Sequence, residues 1–110
     1  MSLHAHSVAI EAIRALRPIL TAIARHDRGL ASQMREAANS MVLNLGEGQR
    51  SDPGTARARF HNAAGSTRET RSALELACAW GYVEPASVAQ ADELLDRVAA
   101  MAHRLTHPRP

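Results

Sequence analysis

The chain contains no lysine; its 13 basic residues are all arginine. It has a single cysteine and one each of Trp, Tyr and Phe, and no apolar run approaches the roughly 18 residues of a membrane span. Each scarcity excludes something. One cysteine, Cys78, rules out an intramolecular disulfide and suits a reducing compartment, where it reads as a small buried hydrophobe. The opening stretch "MSLHAHSVAIEAIRALRP" has neither a basic leader nor an unbroken apolar segment, so it does not read as a secretory signal. The expected location is the cytoplasm. With aromatics at 3%, the core must be built from Ala, Leu, Ile, Val and Met. Such a core suits closely packed helices and suits sheets badly, because alanine is depleted in strands.

What is present fits one globular domain over residues 1–110: 45% hydrophobic, 22% charged, net charge +2. The basic pI of about 9.5 is carried entirely by guanidinium groups, whose planar forks match carboxylates and phosphates bidentately.

Hydrophobic spacing predicts four helices. The first covers about 4–25, with Ile10, Ile13, Leu16, Leu20 and Ile23 as its apolar stripe and Pro18 as a kink. The second covers about 30–47, with Leu30, Met34, Ala37, Met41 and Leu45 inward and Gly48 as its left-handed C-terminal residue. Thr55 is the expected N-cap of the third, which reaches Trp80 with Phe60, Ala63, Ala64, Thr67, Leu74 and Ala77 inward and Gly81 after it. Pro85 takes the first turn of the fourth, about 86–105, where Val88, Ala91, Leu95, Val98, Ala102 and Leu105 align. Its acids Asp92, Glu93 and Asp96 precede His103 and Arg104, which suits the helix dipole. No segment alternates with period two, so the fold class is all-α, an up-down-up-down four-helix bundle.

"NLGEGQRSDPG", residues 44–54, resembles a phosphate loop only superficially. Its glycines follow a helix instead of a strand, and no Gly-Lys-Ser/Thr follows them. Gly46 reads as a place where a neighbouring helix comes close. Asn44 shares a face with Met34, Ala37 and Met41; Asn62, Ser66 and Glu69 share one on the third helix, beside Gly65. Polar groups buried in a bundle must be hydrogen-bonded, and Arg35 is the expected partner of Glu69. A structural network fixing helix register is favoured over a solvated face or a ligand site.

Two segments carry a family resemblance. "QMREAANSMVLNLGEGQR" places Gln33, Arg35, Ala38, Ser40, Asn44, Glu47 and Gly48, and "FHNAAGSTRETRSALELACAWGYV" places Phe60, Ala64, Gly65, Ser66 and Glu69. Together they resemble the paired signature of the 23S rRNA intervening-sequence proteins, over about residues 30–83. The resemblance implies a left-handed bundle assembled as a homopentameric ring, without enzymatic activity. It also implies likeness to the accessory variability proteins of diversity-generating retroelements, which bind nucleic acid beside a reverse transcriptase. The structural polar network then comprises Arg35, Asn44, Glu47, Ser66 and Glu69. The first helix lacks the family's aromatic lead-in, and positions basic as Lys in many relatives are Arg or absent.

Arg50, Arg57, Arg59, Arg68 and Arg71 stand against only Asp52 and Glu69, and a ring would repeat that stripe around its surface. RNA or DNA is the partner such a stripe suits, by phosphate contacts sensitive to salt. Against it, no aromatic is interleaved among the arginines, and no helix-turn-helix or RNA-recognition motif is present. Such a stripe is more often an exposed solvated face than a binding groove.

Other chemistry is weaker. His4 with His6, and His103 with His107, are pairs without a third ligand, and Pro108 should break the last turn, so no metal or cofactor is expected. "RVAAMAH" supplies Arg97 and His103 at the spacing of a HEPN-type ribonuclease, the alternative reading, though Val98 stands where a polar residue is usual. "DELLD" reads as a solvated acidic face. Trp80 and Tyr82 are candidates either for subunit-interface anchors or for a cap on the bundle's own end.

Overall fold

The computed structural model describes residues 2–107, which form four α-helices: α1 (Ser2–Ala24), α2 (Arg28–Gln49), α3 (Pro53–Ala79) and α4 (Pro85–Thr106). Pro108 lies outside the described residues. Segments 25–27, 50–52 and 80–84 join them, short enough to make successive helices antiparallel neighbours. Substantial packing runs α1–α2, α2–α3, α3–α4 and α4–α1, which closes a four-helix bundle 45 × 22 × 19 Å in extent.

Helices α2 and α3 start where an aspartate side chain satisfies a free N–H group. Asp27 caps α2 by accepting from the Leu30 N–H at 2.9 Å. Asp52 caps α3, accepting from the Thr55 N–H at 3.3 Å, with Pro53 in the first turn. Thr55 is thus inside the helix; the favoured proline position moves the start three residues earlier. Pro85 likewise opens α4. The first turn of α4 has no acid, and Asp92 and Asp96 face Arg71 instead.

The end of α3 is a six-residue reverse closure. Tyr82 N–H donates to the Ala77 carbonyl and Gly81 N–H to the Cys78 carbonyl, each at 2.9 Å, with Gly81 at φ +80°. Both bonds need the left-handed residue that glycine supplies without strain. The end of α2 is different. Gly48 is helical and buried, and α2 runs on to Gln49 before Arg50 and Ser51 close it with bonds to Glu47 and Gly48 carbonyls.

Gly48 has another reason to be glycine. A Cβ there would lie 2.8 Å from Phe60 Cδ1 and 2.9 Å from Cζ, and closer still to Cε1. The Phe60 ring sits directly on the bare α2 backbone. Gly46, expected to be the close-approach site, would place a Cβ no nearer than 3.7 Å to the His6 ring, an ordinary contact.

Leu16, Ile23, Met34, Met41, Leu45 and Leu95 are the large residues at the centre of the core, with alanines from every helix between them. The inward residues expected on α2 and α3 are all buried, as are those of α4 except the half-buried Leu105. On α1 the buried face is Ala5, Val8, Ala9, Ala12, Leu16, Ile19 and Ile23, while Ile10, Ile13 and Leu20 flank it. Alanine hides the true face of α1 from a reading that weights large side chains. The helix continues without interruption through Pro18, which is exposed. Thr67 and Thr70, fully buried, return their hydroxyls to the Ala63 and Ser66 carbonyls at 2.7 and 2.8 Å, so no core donor is left over there.

Candidate functional site

Two surfaces of α3 gather the polar residues singled out above. Where α3 meets α2, Ser66 donates its hydroxyl to Ser40 Oγ at 2.7 Å. Asn44 Nδ2 donates to the Ser40 carbonyl at 2.9 Å and to Ser40 Oγ at 3.1 Å. Arg59 reaches Asn44 Oδ1 at 3.5 Å. Ser40, Asn44 and Ser66 are half-buried, so this chain of bonds ties the seam together below the surface.

The network is therefore smaller and differently centred than the sequence predicts. Arg35, Glu47 and Glu69 are exposed, and no ion pair joins Arg35 to Glu69 among the described residues. Long charged side chains on an outward ridge gain more from water than from burial. The hub is Ser40, a residue of the family motif whose small polar side chain has no distinctive signal of its own. Its position four residues before Asn44 is the clue, since i and i+4 share a helix face.

The arginines divide. Arg71 forms a fork onto α4: its Nε is 2.9 Å from Asp92 Oδ1, its terminal nitrogens 3.2 Å from Asp92 Oδ2 and 3.0 Å from Asp96 Oδ1. The hydrogen bond to Asp92, opposed by partial burial, together with the charges of both acids, raises the Arg71 pKa above its ordinary value. Arg50, Arg57, Arg59 and Arg68 are exposed, and none has an acidic partner within salt-bridge distance among the described residues. Arg57 and Arg68 are eleven residues apart, about three turns, so they share a ridge with His61 and stand about 16 Å apart along it. Arg59 lies on the opposite flank, toward α2. An open groove of about 530 Å³ beside this ridge is lined by Ser40, Asn44, His61, Asn62, Ser66 and Arg68, among others.

At one end of the bundle the two turns meet. Tyr82 stacks on His26 (ring centroids 5.2 Å apart, planes 7° apart) and donates its hydroxyl to Asp27 Oδ2 at 3.3 Å. Desolvation, the nearby Asp27 charge and that hydrogen bond all raise the Tyr82 pKa. Tyr82 is thus half-buried as part of the bundle's own end, whereas Trp80 is 65% exposed.

The ribonuclease pair is not assembled. Arg97 and His103 are both exposed, and six residues put them about 120° apart around α4. His103 instead stacks on His107, with centroids 4.1 Å apart. The pair has no third ligand: among the described residues no three His, Cys, Asp or Glu side chains come together as a metal site would require. Among the described residues no helix is long and apolar enough to cross a membrane.

Comparison with known proteins supports the architecture. The chain superposes on a solved protein of unknown function from the S23 ribosomal protein family of Bacteroides thetaiotaomicron with a TM-score of 0.83, over 93% of this chain and 97% of that one. At 13% identity this likeness is one of fold. No curated protein matches the sequence. The family model described as 23S rRNA-intervening sequence protein matches residues 4–104, nearly the whole bundle, and the chain belongs to that family.

Proposed function

We propose that this protein is a non-enzymatic, self-assembling helical module that holds nucleic acid by its phosphates, in a reducing compartment such as the cytoplasm. The observation carrying this reading is the division of the arginines. Among the described residues, of the five between residues 50 and 71, only Arg71 is paired with acids; Arg50, Arg57, Arg59 and Arg68 are exposed and have no carboxylate within salt-bridge distance. Two exposed aliphatic residues, Leu43 at 67% and Leu76 at 46%, supply apolar surface for assembly. A homopentameric ring, the state implied by the sequence resemblance, would set five copies of the arginine ridge side by side and strengthen a field that is weak for one chain of net charge +2.

The test is light scattering of the purified protein, followed by binding of generic single-stranded RNA and DNA across a salt series. The expected result is a mass near five chains and an affinity that falls linearly on logarithmic axes, each phosphate contact contributing roughly 0.7 to the slope for single strands. Replacing Arg57 and Arg68 together by Gln should lower that slope and leave the mass unchanged. A protein that binds neither nucleic acid at low salt would overturn the binding role, and a dimer would overturn the ring.

A further inference from the structure

The turn joining α1 to α2 brings His26 against the turn joining α3 to α4, which carries two flat side chains of its own, Trp80 and Tyr82. His26, Tyr82 and Trp80 form a ladder: His26 to Tyr82 as described, then Tyr82 to Trp80 with centroids 6.3 Å apart and planes 14° apart. The middle member is anchored, and His26 is the exposed far end. Tyr82 is held by its hydroxyl bond to Asp27, whose other oxygen caps α2, and by its backbone bond to Ala77. The outer member is not covered: Trp80 is 65% exposed, although its backbone is fixed by the 2.9 Å bond from its N–H to the Leu76 carbonyl.

We infer that Trp80 is the open face of a stacking platform for an unpaired base of single-stranded nucleic acid. This rests on the phosphate-binding reading above and adds to it the contact that the arginines cannot make. Parallel rings continue most naturally with another flat π-system, and any base offers one. Stacked on the anchored Tyr82 ring, the Trp80 side chain has less freedom to lose on binding than an isolated one.

The charges around the platform suit a base and do not suit a phosphate. The two turns and the first residue of α2 carry Arg25 and Arg28 against Asp27 and Glu84, a formal balance of zero. Arg68, by contrast, stands twelve residues back on α3, about 18 Å along the helix from Trp80. Phosphates on the arginine ridge and a base on Trp80 therefore divide the work by position: the ridge contributes salt-sensitive affinity, and the ring contributes affinity that salt does not screen.

That division is measurable. The full-length protein is titrated with two labelled strands of equal length and charge, oligothymidylate and its abasic counterpart, and binding is followed by anisotropy over a salt series. Trp80 is the only tryptophan, so its fluorescence reports the same site directly in the unmodified protein. The base-bearing strand should bind about tenfold more tightly than the abasic one and quench Trp80, as one stacked base would. Trp80→Leu should abolish that difference with the salt slope intact, and Trp80→Phe should keep most of it. Equal affinity for both strands, or a preference that survives Trp80→Leu, overturns the platform while leaving phosphate binding in place. If neither strand binds, both readings fall. If Trp80→Leu changes the mass of the assembly and not the strand preference, Trp80 belongs to subunit packing and the platform is again overturned.

Discussion

Helix α3 is held by its two neighbours in opposite ways. Against α2 it uses what is missing or small: the bare backbone of Gly48 under Phe60, alanines, and the Ser40–Ser66 hydroxyl bond. Against α4 it uses the largest polar side chain available, Arg71, spread over Asp92 and Asp96 at the rim. The first seam is specified by volume, the second by charge. Volume in a close-packed interior cannot be screened or rearranged cheaply, whereas a rim charge exchanges protein partners for water at little cost. The two seams should therefore differ in how they respond to substitution.

Gly48→Ala should give the largest effect, and its sign is informative. Gly48 is helical although next to last in α2, so propensity alone favours alanine by at most about 0.5–1 kcal/mol. The Phe60 ring occupies the space a methyl needs, and overpacking of that kind costs about 1–3 kcal/mol. Packing should win, so thermal unfolding should show a lower Tm. Phe60→Leu in the same chain should recover part of the loss, giving a double-mutant cycle that is not additive. A stabilised Gly48→Ala variant would show that α2 and α3 do not press together at this point.

The hydroxyl bond should come next. Ser66→Ala should cost about 1 kcal/mol in denaturant unfolding. Ser40→Ala should cost somewhat more, since it also removes the bond from Asn44 Nδ2. The double variant should cost little more than Ser40→Ala, because the Ser40–Ser66 bond is lost in all three. Glu69→Ala, on the exposed ridge, should stay within about 0.5 kcal/mol of the parent. A larger loss at Glu69 than at Ser40 would put the centre of the network back where the sequence pattern suggests it.

The bundle itself was legible in the sequence because its signals are redundant: apolar spacing on α2, α3 and α4, Pro85 in a first turn, and Gly81 after α3. What escaped was whatever depends on the partner helix. Gly48 in a run of glycines and polar residues looks like a helix end, and only the ring of Phe60 across the seam shows why it must be bare. Glu69 has a place in a polar pattern, yet its exposure is set by the rotation of α3 about its axis, which spacing leaves open by a residue or so. Arg71 sits in an arginine-rich stretch like the others, and its difference comes from acids twenty-one and twenty-five residues away. The His26–Tyr82 contact joins two turns through tertiary structure alone, fifty-six residues apart.

The seam with α4 should yield least. Arg71 keeps 34% of its side chain exposed, with Asp92 at 44% and Asp96 at 68%, so water already screens the fork. Arg71→Ala should therefore lower stability by no more than about 1 kcal/mol at low salt, and by less as salt is added. The pH dependence has a definite sign. A raised arginine pKa means that the folded state holds the proton more tightly, so this contribution is fully present below the unfolded value and is lost only as pH rises through the folded one. Across neutral pH the arginine's own titration adds no slope. Chemical denaturation of Arg71→Ala and the parent at low and high salt checks this: the gap between them should narrow as salt rises. A gap that is large and indifferent to salt would mean that the Arg71 stem packs against α4 as a hydrophobic strut, and that both seams of α3 are specified by volume after all.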